Sequence, residues 1–193
     1  GFHIELARLA SRVPLDTVAD YENYVARLRA VPTYVEQHIK LLREGLSLGI
    51  TVPKVVLEGY EATIEAHVVE NPSTSVFYPP FDRFPSTVPE TEHVRLRSAG
   101  SAAIREAVAP AYRAFLDFML NDYIPGARTT LGASELPRGR DYYAFLIGKF
   151  TTIATTADEV HQLGLREVAR IRREMKSVIE EVGFDGDFSA FLD

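Results

Sequence analysis

Apolar residues recur at intervals of three and four along most of the chain, which is the spacing of one face of a helix. Thr17 and Asp20 form the Thr-x-x-acid start of a capping box, and Pro32 predicts that this helix ends. Thr33 and Glu36 repeat the start pattern. The two predicted stripes are Val18, Tyr21, Tyr24, Val25 and Leu28, followed by Val35, Ile39, Leu42 and Leu46. We therefore predict two helices that pack as a hairpin.

The next segment predicts a third helix and then a loop. Pro53 occupies a first-turn position, where its missing N–H costs nothing, so residues 53–69 are predicted helical. Five of the 11 prolines fall between Pro72 and Pro89, and so many prolines exclude a regular helix. Four aromatic side chains in the same stretch are too apolar to leave in water: Phe77, Tyr78, Phe81 and Phe84. We expect an ordered loop packed on the body of the protein, called here the aromatic loop (71–90).

The second half of the chain returns to helical periodicity. Residues 91–123 carry a predicted apolar face, and Pro110 is expected to kink this run or split it in two. Thr156 and Glu159 start the last long helix, and a short final helix is predicted over 187–193. The apolar face of the first run consists of Val108, Tyr112, Phe115, Leu116, Met119 and Leu120.

These elements predict an all-α fold, a multi-helix array with proline- and glycine-rich aromatic loops, because no alternating strand series occurs. Residues 1–193 are interpreted as a single helical segment of a larger domain. Its parts are a helical hairpin region (1–70), a proline and aromatic loop (71–90) and a helical region (91–193). The sequence starts at Gly1 without Met and stops at DFSAFLD, so both ends are expected to be cut.

Composition excludes several classes of partner. The net charge of -6 and the pI near 5.4 argue against nucleic acid, whose partners usually present a concentrated basic face. There are no cysteines, which excludes disulfides, thiolate zinc sites and a cysteine nucleophile. No apolar run approaches the roughly 20 residues that span a bilayer. The compartment stays open between cytoplasm and periplasm.

Patterns for metal binding and catalysis are weak. His161 and Glu167 stand about 240° apart around a helix and cannot share a metal from one helix. Asp158 and His161 do share a face, but a helix-start acid beside a histidine is favoured over a metal site. The sequence has no His-Glu-x-x-His motif, phosphate-binding glycine loop or Gly-x-Ser-x-Gly elbow. We predict no metal ligand and no catalytic residue in this chain.

Two further groups of residues are ambiguous. Glu61 and Glu65 share a helix face near His67, for which a solvated acidic surface is the favoured interpretation. Tyr142 and Tyr143 are adjacent, hence about 100° apart on a helix. Core packing is favoured for both tyrosines, and the alternative is that one of them faces a cleft.

An ordered set of segments resembles the bacterial family called domain of unknown function 885. The first segment runs from VPLDTVADYENYVARLRAV to GITVPKVVLEG, and APAYRAFLDFMLNDYIPGAR, LPRGRDYYAFLIGKFTT, ADEVHQLGLREVARIRREM and GFDGDFSAFL follow in order. The resemblance implies a mostly helical architecture related to gluzincin-type zinc peptidases such as the thermostable carboxypeptidases. Full-length members are much longer and carry His-Glu followed by Pro-Gly-His in their C-terminal half. This sequence stops before any such motif, so no zinc ligand or general base carries over.

Two hypotheses follow from the resemblance. In the first, the chain is part of a zinc-dependent peptidase-like hydrolase, with zinc expected in the intact parent and a peptide-like or small-molecule substrate. It supplies helical walls of the substrate cleft, is inactive alone, and offers Tyr142, Tyr143 and His161 as substrate-binding candidates. In the second, it is a non-catalytic helical scaffold or protein-binding module whose aromatic loop contacts a partner. Either way we expect an uncovered apolar face, through which the piece would dimerise.

Overall fold

The computed structural model describes residues 1–186 and 188–192, and within them every regular element is a helix or a helical turn. The predicted all-α multi-helix array is confirmed. The chain divides into two compact units, Gly1–Leu131 and Gly132–Asp193. The interpretation of the chain as one segment of a larger domain stays a prediction. No described helix is long and apolar enough to cross a membrane.

The first unit is built around two long helical runs. The elements before the aromatic loop are α1 (Phe2–Ala7), a 3₁₀ turn (Leu9–Arg12), α2 (Val18–Ser47), a 3₁₀ turn (Lys54–Leu57) and α3 (Ala62–Glu65). The aromatic loop itself holds the 3₁₀ turns Pro72–Thr74 and Pro79–Phe81. The second run consists of α4 (Glu90–Ala103), a π turn (Ile104–Val108), α5 (Ala109–Phe118), a π turn (Met119–Tyr123) and α6 (Ile124–Gly126).

Helix α2 begins at the predicted capping box. The Asp20 amide donates to the Thr17 hydroxyl oxygen at 3.2 Å, and the Thr17 amide donates to the Asp20 carboxylate at 2.8 Å. The helix ends where Gly49 adopts a φ of +70° and the Ile50 amide donates to the Gly45 carbonyl at 2.8 Å. Both ends of α2 are therefore set by local hydrogen bonds that a sequence pattern can reveal.

The predicted hairpin is wrong, because α2 continues through Pro32 as one helix of 30 residues. A proline inside a helix costs about 3 kcal/mol, but Val31 and Val35 on either side of it are buried. Burial of these and the other apolar side chains of α2 offsets the lost hydrogen bond. The long helix predicted over 53–69 is also wrong, since only a 3₁₀ turn and the four-residue α3 form there.

Pro110 does not split the second helical run. The Ala109 amide donates to the Ile104 carbonyl, five residues back, and thereby closes the first π turn. The second π turn is closed in the same way, because the Ile124 amide, directly before Pro125, donates to the Met119 carbonyl. One extra residue in each turn accommodates the ring of the proline that follows and its missing N–H.

The core of the first unit contains most of the predicted stripes. Side chains from α2, the aromatic loop and the second helical run form one buried cluster. Its members include Tyr21, Tyr24, Leu28, Phe77, Phe81, Ile104, Tyr112 and Phe115. Leu120 was predicted to lie on the buried face but is exposed.

The aromatic loop is ordered and packed, as predicted. The Tyr24 hydroxyl donates to the Phe77 carbonyl at 2.9 Å, and the Arg97 Nε donates to the Phe81 carbonyl at 2.9 Å. Phe77 and Phe81 are fully buried. The Phe81 ring packs against Gly100, where an added Cβ would come within 2.4 Å of it. The expectation that this loop contacts a partner is wrong for Phe77 and Phe81, because their rings belong to the core.

The second unit consists of a 3₁₀ turn (Ala133–Glu135), α7 (Gly139–Thr151), α8 (Ala157–Glu181) and α9 (Phe188–Leu192). The capping box at Thr156 and Glu159 is confirmed, and Gly183, with a φ of +68°, follows the end of α8. The short final helix is confirmed as α9. Its predicted limits, Asp187 and Asp193, lie outside the described residues.

Candidate functional site

A cleft of about 730 Å³ lies in the second unit where α7 and α8 begin. A close contact fixes the start of α7: an added Cβ on Gly139 would lie 1.9 Å from the Ala133 carbonyl oxygen, so only glycine fits. This contact holds the turn before α7 against the helix and forms one wall. The other wall is the start of α8. The lining residues are Ala133, Ser134, Arg140, Tyr143, Ala144, Thr155, Thr156, Ala157 and Asp158.

The structure brings one of the three predicted substrate-binding residues into this cleft. Tyr143 lines it, whereas Tyr142 and His161 are exposed and do not. Tyr142 is 54% exposed and Tyr143 is 49% exposed, so the favoured interpretation of both as core residues is wrong. The assignment of the three residues to substrate binding stays a prediction.

Three polar side chains of the cleft have open hydrogen-bonding capacity. Within the described residues, no hydrogen bond or ion pair involves the Arg140 guanidinium, the Tyr143 hydroxyl or the Asp158 carboxylate. The polar groups of Thr156 are already engaged, because its hydroxyl and its backbone amide both donate hydrogen bonds to the Glu159 carboxylate at the start of α8. These hydrogen bonds lower the pKa of Glu159 and favour its ionised carboxylate, which completes the capping box. The cleft therefore offers one cation, one anion and one phenol to a ligand.

The described residues hold no group of three or more His, Cys, Asp or Glu side chains that suits a metal ion. No hydrogen bond joins Asp158 and His161 within this part of the chain, although they share a face. The resemblance implies zinc in the intact parent and not in this segment, and that expectation stays a prediction.

A second recess, which the sequence did not predict, lies in the first unit between α2 and α5. This groove of about 720 Å³ has apolar side chains on its floor and carboxylates along its sides. Arg43 reaches across it, with a guanidinium nitrogen 3.3 Å from the Asp122 carboxylate. Its residues recur at spacings of three and four on each helix: Pro32, Val35, Glu36, Ile39 and Arg43 on α2, and Glu106, Pro110, Ala114 and Asp117 on the second run.

The sequence also did not predict that a histidine near the start of the chain is buried. His3 is fully buried, and its Nε2 lies 3.0 Å from the Thr63 hydroxyl oxygen. Because that hydroxyl donates to the Tyr60 carbonyl, it accepts from His3, and the Nδ1 of His3 is left to accept from the Tyr60 hydroxyl at 3.4 Å. Burial lowers the pKa of His3 to about 4, and a smaller contribution comes from nearby positive charge.

His67 is not part of a solvated acidic surface. Its ring lies 4.7 Å from the Tyr112 ring, between centroids, and its Nδ1 is buried with no hydrogen-bond partner among the described residues. Burial lowers the pKa of His67. Glu65, in contrast, is exposed as expected.

One side of α8 exposes its apolar residues. Of the side chains of α8, which all lie in the described part of the chain, Ile179 alone is buried. Five exposed apolar residues follow a spacing of three and four and thus form one stripe: Val168, Ile171, Met175, Val178 and, just beyond the helix, Val182. Phe188 and Phe191 of α9 line one recess together with Ile171, Met175 and Val178. The expectation of an uncovered apolar face through which the piece would dimerise stays a prediction.

The all-helical fold agrees with the resemblance seen in the sequence. The sequence model of the family described as "Bacterial protein of unknown function (DUF885)" matches residues 1–193. The chain belongs to this bacterial family.

Comparison with solved structures adds evidence on the fold alone. The crystal structure of the "putative lipoprotein from Colwellia psychrerythraea" is similar, with a TM-score of 0.78 and 21% sequence identity. The match covers 90% of this chain and 30% of that chain, so the present chain spans less than a third of the solved one. Comparison with curated proteins gave no match.

Proposed function

We propose that this chain forms a substrate-binding wall of a peptidase-like hydrolase and that the cleft between α7 and α8 holds a short peptide-like substrate. The observation that carries this proposal is the convergence of Arg140, Tyr143 and Asp158 on one cleft with no hydrogen bonds among the described residues. The family resemblance supplies the reaction class. The chemistry of bond cleavage lies outside the residues described here.

The charges of the cleft complement a peptide with free ends. The Arg140 guanidinium matches a terminal carboxylate, with which it can form two parallel hydrogen bonds. The Asp158 carboxylate matches a terminal ammonium group, and the Tyr143 hydroxyl can donate to a carbonyl oxygen. A volume of about 730 Å³ falls within the range of small-ligand sites. A zwitterionic peptide of a few residues satisfies all three groups.

Peptide binding by the purified chain tests this proposal. Trialanine, added while backbone amide resonances are followed by NMR, is expected to shift the signals of Arg140, Tyr143 and Asp158. Trialanine with an acetylated amino end and an amidated carboxyl end lacks both charges and should bind about tenfold more weakly. Arg140→Gln and Tyr143→Phe should each weaken binding.

Tyr142→Phe is the matched control, because Tyr142 lies beside Tyr143 in sequence but outside the cleft. It should bind trialanine like the wild type. Absence of binding, or equal affinity for free and capped trialanine, would show that the cleft is not a peptide site. A loss of binding in Tyr142→Phe equal to that in Tyr143→Phe would also contradict the proposal.

The apolar stripe of α8 favours a second candidate, a helical scaffold or binding module without chemistry of its own. A contiguous exposed apolar surface is typical of a protein contact. In this candidate a second copy of the chain covers the stripe, and Ile171, Met175 and Val178 lie at its centre. Self-association in the absence of peptide binding would favour this candidate over the hydrolase.

A further inference from the structure

We propose that the groove between α2 and α5 binds a basic amphipathic peptide segment, in which cationic side chains alternate with apolar ones. This inference does not depend on the proposed hydrolase. It rests on the apolar floor of the groove, its excess of carboxylates and the way it already holds a guanidinium of its own chain.

The floor of the groove is apolar and accessible. Val35 and Phe118 belong to the buried core and close the groove from below. Ala114 is exposed within it and leaves room above the helix for a ligand side chain. Small and apolar lining residues favour aliphatic side chains of a partner. Burying these side chains stabilises the complex by about 25 cal/mol per Å² of apolar surface removed from water.

The sides of the groove carry more negative than positive charge. Four carboxylates line it, and Arg43 is the one cationic side chain among its lining residues. Asp122 is paired with Arg43, whereas no ion pair or hydrogen bond involves the carboxylates of Glu36 and Asp117 within the described part of the chain. The unpaired carboxylates complement cationic groups of a ligand.

Arg43 shows how the groove accommodates such a group. Its guanidinium lies against the Asp122 carboxylate and 5.2 Å from the centroid of the Phe118 ring. An aromatic face and a carboxylate together bind a guanidinium better than either does alone. A ligand arginine beside Glu36 or Asp117 would extend this arrangement along the groove.

The length of the groove fits a peptide better than a single ion. Glu106 and Asp117 lie on the same helical run, separated by about 16 Å at 1.5 Å per residue. An extended peptide covers that distance with about five residues. Side chains of an extended peptide alternate between two sides, so one side can face the carboxylates while the other faces the apolar floor.

The experiment measures binding of a fluorescein-labelled octapeptide of alternating arginine and leucine by fluorescence anisotropy. Two control peptides replace leucine by serine or arginine by glutamate. Glu36→Gln and Asp117→Asn each remove one unpaired carboxylate, and Ala114→Trp fills the groove sterically. Glu90→Gln is the matched control, since Glu90 is an exposed carboxylate outside the groove.

We expect the arginine-leucine peptide to bind, with an affinity that falls as salt is raised. Glu36→Gln and Asp117→Asn should each weaken it about fivefold and Ala114→Trp about tenfold or more, while Glu90→Gln matches the wild type. Circular dichroism confirms that each variant is folded. Equal binding of the serine peptide would remove the role of the apolar floor and overturn the proposal.

Absence of binding by the arginine-leucine peptide would also overturn the proposal. So would an affinity for this peptide that stays at the wild-type value in Glu36→Gln, Asp117→Asn and Ala114→Trp. A second copy of the chain as the occupant would appear as a dimer that Ala114→Trp abolishes. That result would replace the peptide by a self-contact and likewise refute the assignment.

Discussion

The hydroxyl of Tyr112 donates a hydrogen bond to the backbone carbonyl of His3 at 2.8 Å, and both groups are buried. Tyr112 lies in α5 and His3 in α1, 109 positions apart in sequence. This bond ties the first helix of the chain to the central helical run. Burial raises the pKa of Tyr112 well above its usual range, so the hydroxyl stays protonated and remains a donor.

Tyr112→Phe removes this donor and leaves the His3 carbonyl buried without it. We expect a loss of about 1–2 kcal/mol in the free energy of unfolding, because an unsatisfied buried acceptor carries its desolvation cost. Urea denaturation followed by circular dichroism measures the change. Stability equal to that of the wild type would mean that the His3 carbonyl finds another donor.

Acid should destabilise the first unit through His3. Burial lowers its pKa from 6.5 to about 4, so between these values the unfolded chain binds a proton that the folded chain does not. The contribution of uncharged His3 to the free energy of unfolding is fully present above pH 6.5, and it is lost as the pH falls from 6.5 towards 4. Burial also lowers the pKa of His67, so this residue too should reduce the stability of the fold as the pH falls.

Urea midpoints measured between pH 7.5 and 4.5 check this dependence. His3→Gln should flatten it, since glutamine does not titrate. An NMR titration of the His3 ring in the wild type provides a second readout that does not depend on the stability of a variant. A ring that titrates near pH 6.5, or a variant with an unchanged pH dependence, would exclude His3 as the source.

Gly100→Ala should destabilise the protein despite the higher helix propensity of alanine. The new Cβ would lie within 2.4 Å of the buried Phe81 ring, and such overpacking costs about 1–3 kcal/mol. Gly164→Ala in α8 is the matched control, because nothing lies within 4 Å of the Cβ position there. It should stabilise its helix by about 0.5–1 kcal/mol. Thermal unfolding of both variants checks the opposite signs.

The stripe on α8 should make the chain self-associate. Ile171→Asp and Val178→Asp place charges on exposed apolar positions of the stripe, and each should shift sedimentation-velocity profiles towards the monomer. Glu180→Gln, on the opposite side of α8 by helical geometry, should leave the profile unchanged. A wild-type chain that sediments as a monomer at high concentration would contradict self-association through this face.

Local signals in the sequence predicted much of the fold. The capping boxes at Thr17 and Thr156 and the glycines that follow α2 and α8 depend on hydrogen bonds within a few residues. Pro32 was misjudged because burial of the residues beside it, which no local pattern reveals, outweighs its effect on the helix. The aromatic loop was recognised from composition, since its rings had to leave water.

The candidate sites were harder to predict than the helices. The sequence pointed to Tyr143, and to Asp158 only as a neighbour of His161. It gave no signal for Arg140 or for the cleft that these three residues line once α7 and α8 fold. The groove beside Arg43 depends on the pairing of α2 with α5, and that pairing is a long-range contact without a local signature. His3 was missed for the same reason, because its partners Tyr60 and Thr63 lie far from it in the chain.

Each π turn of the second helical run is closed by the amide of the residue directly before a proline, Ala109 before Pro110 and Ile124 before Pro125. The additional residue and the proline therefore depend on each other. Deleting one residue from Ile104–Val108 while keeping Pro110 would rotate everything downstream by about 100° and turn Tyr112 and Phe115 away from the core. In an alignment of related chains, a gap in either π turn should coincide with loss of the proline that follows it.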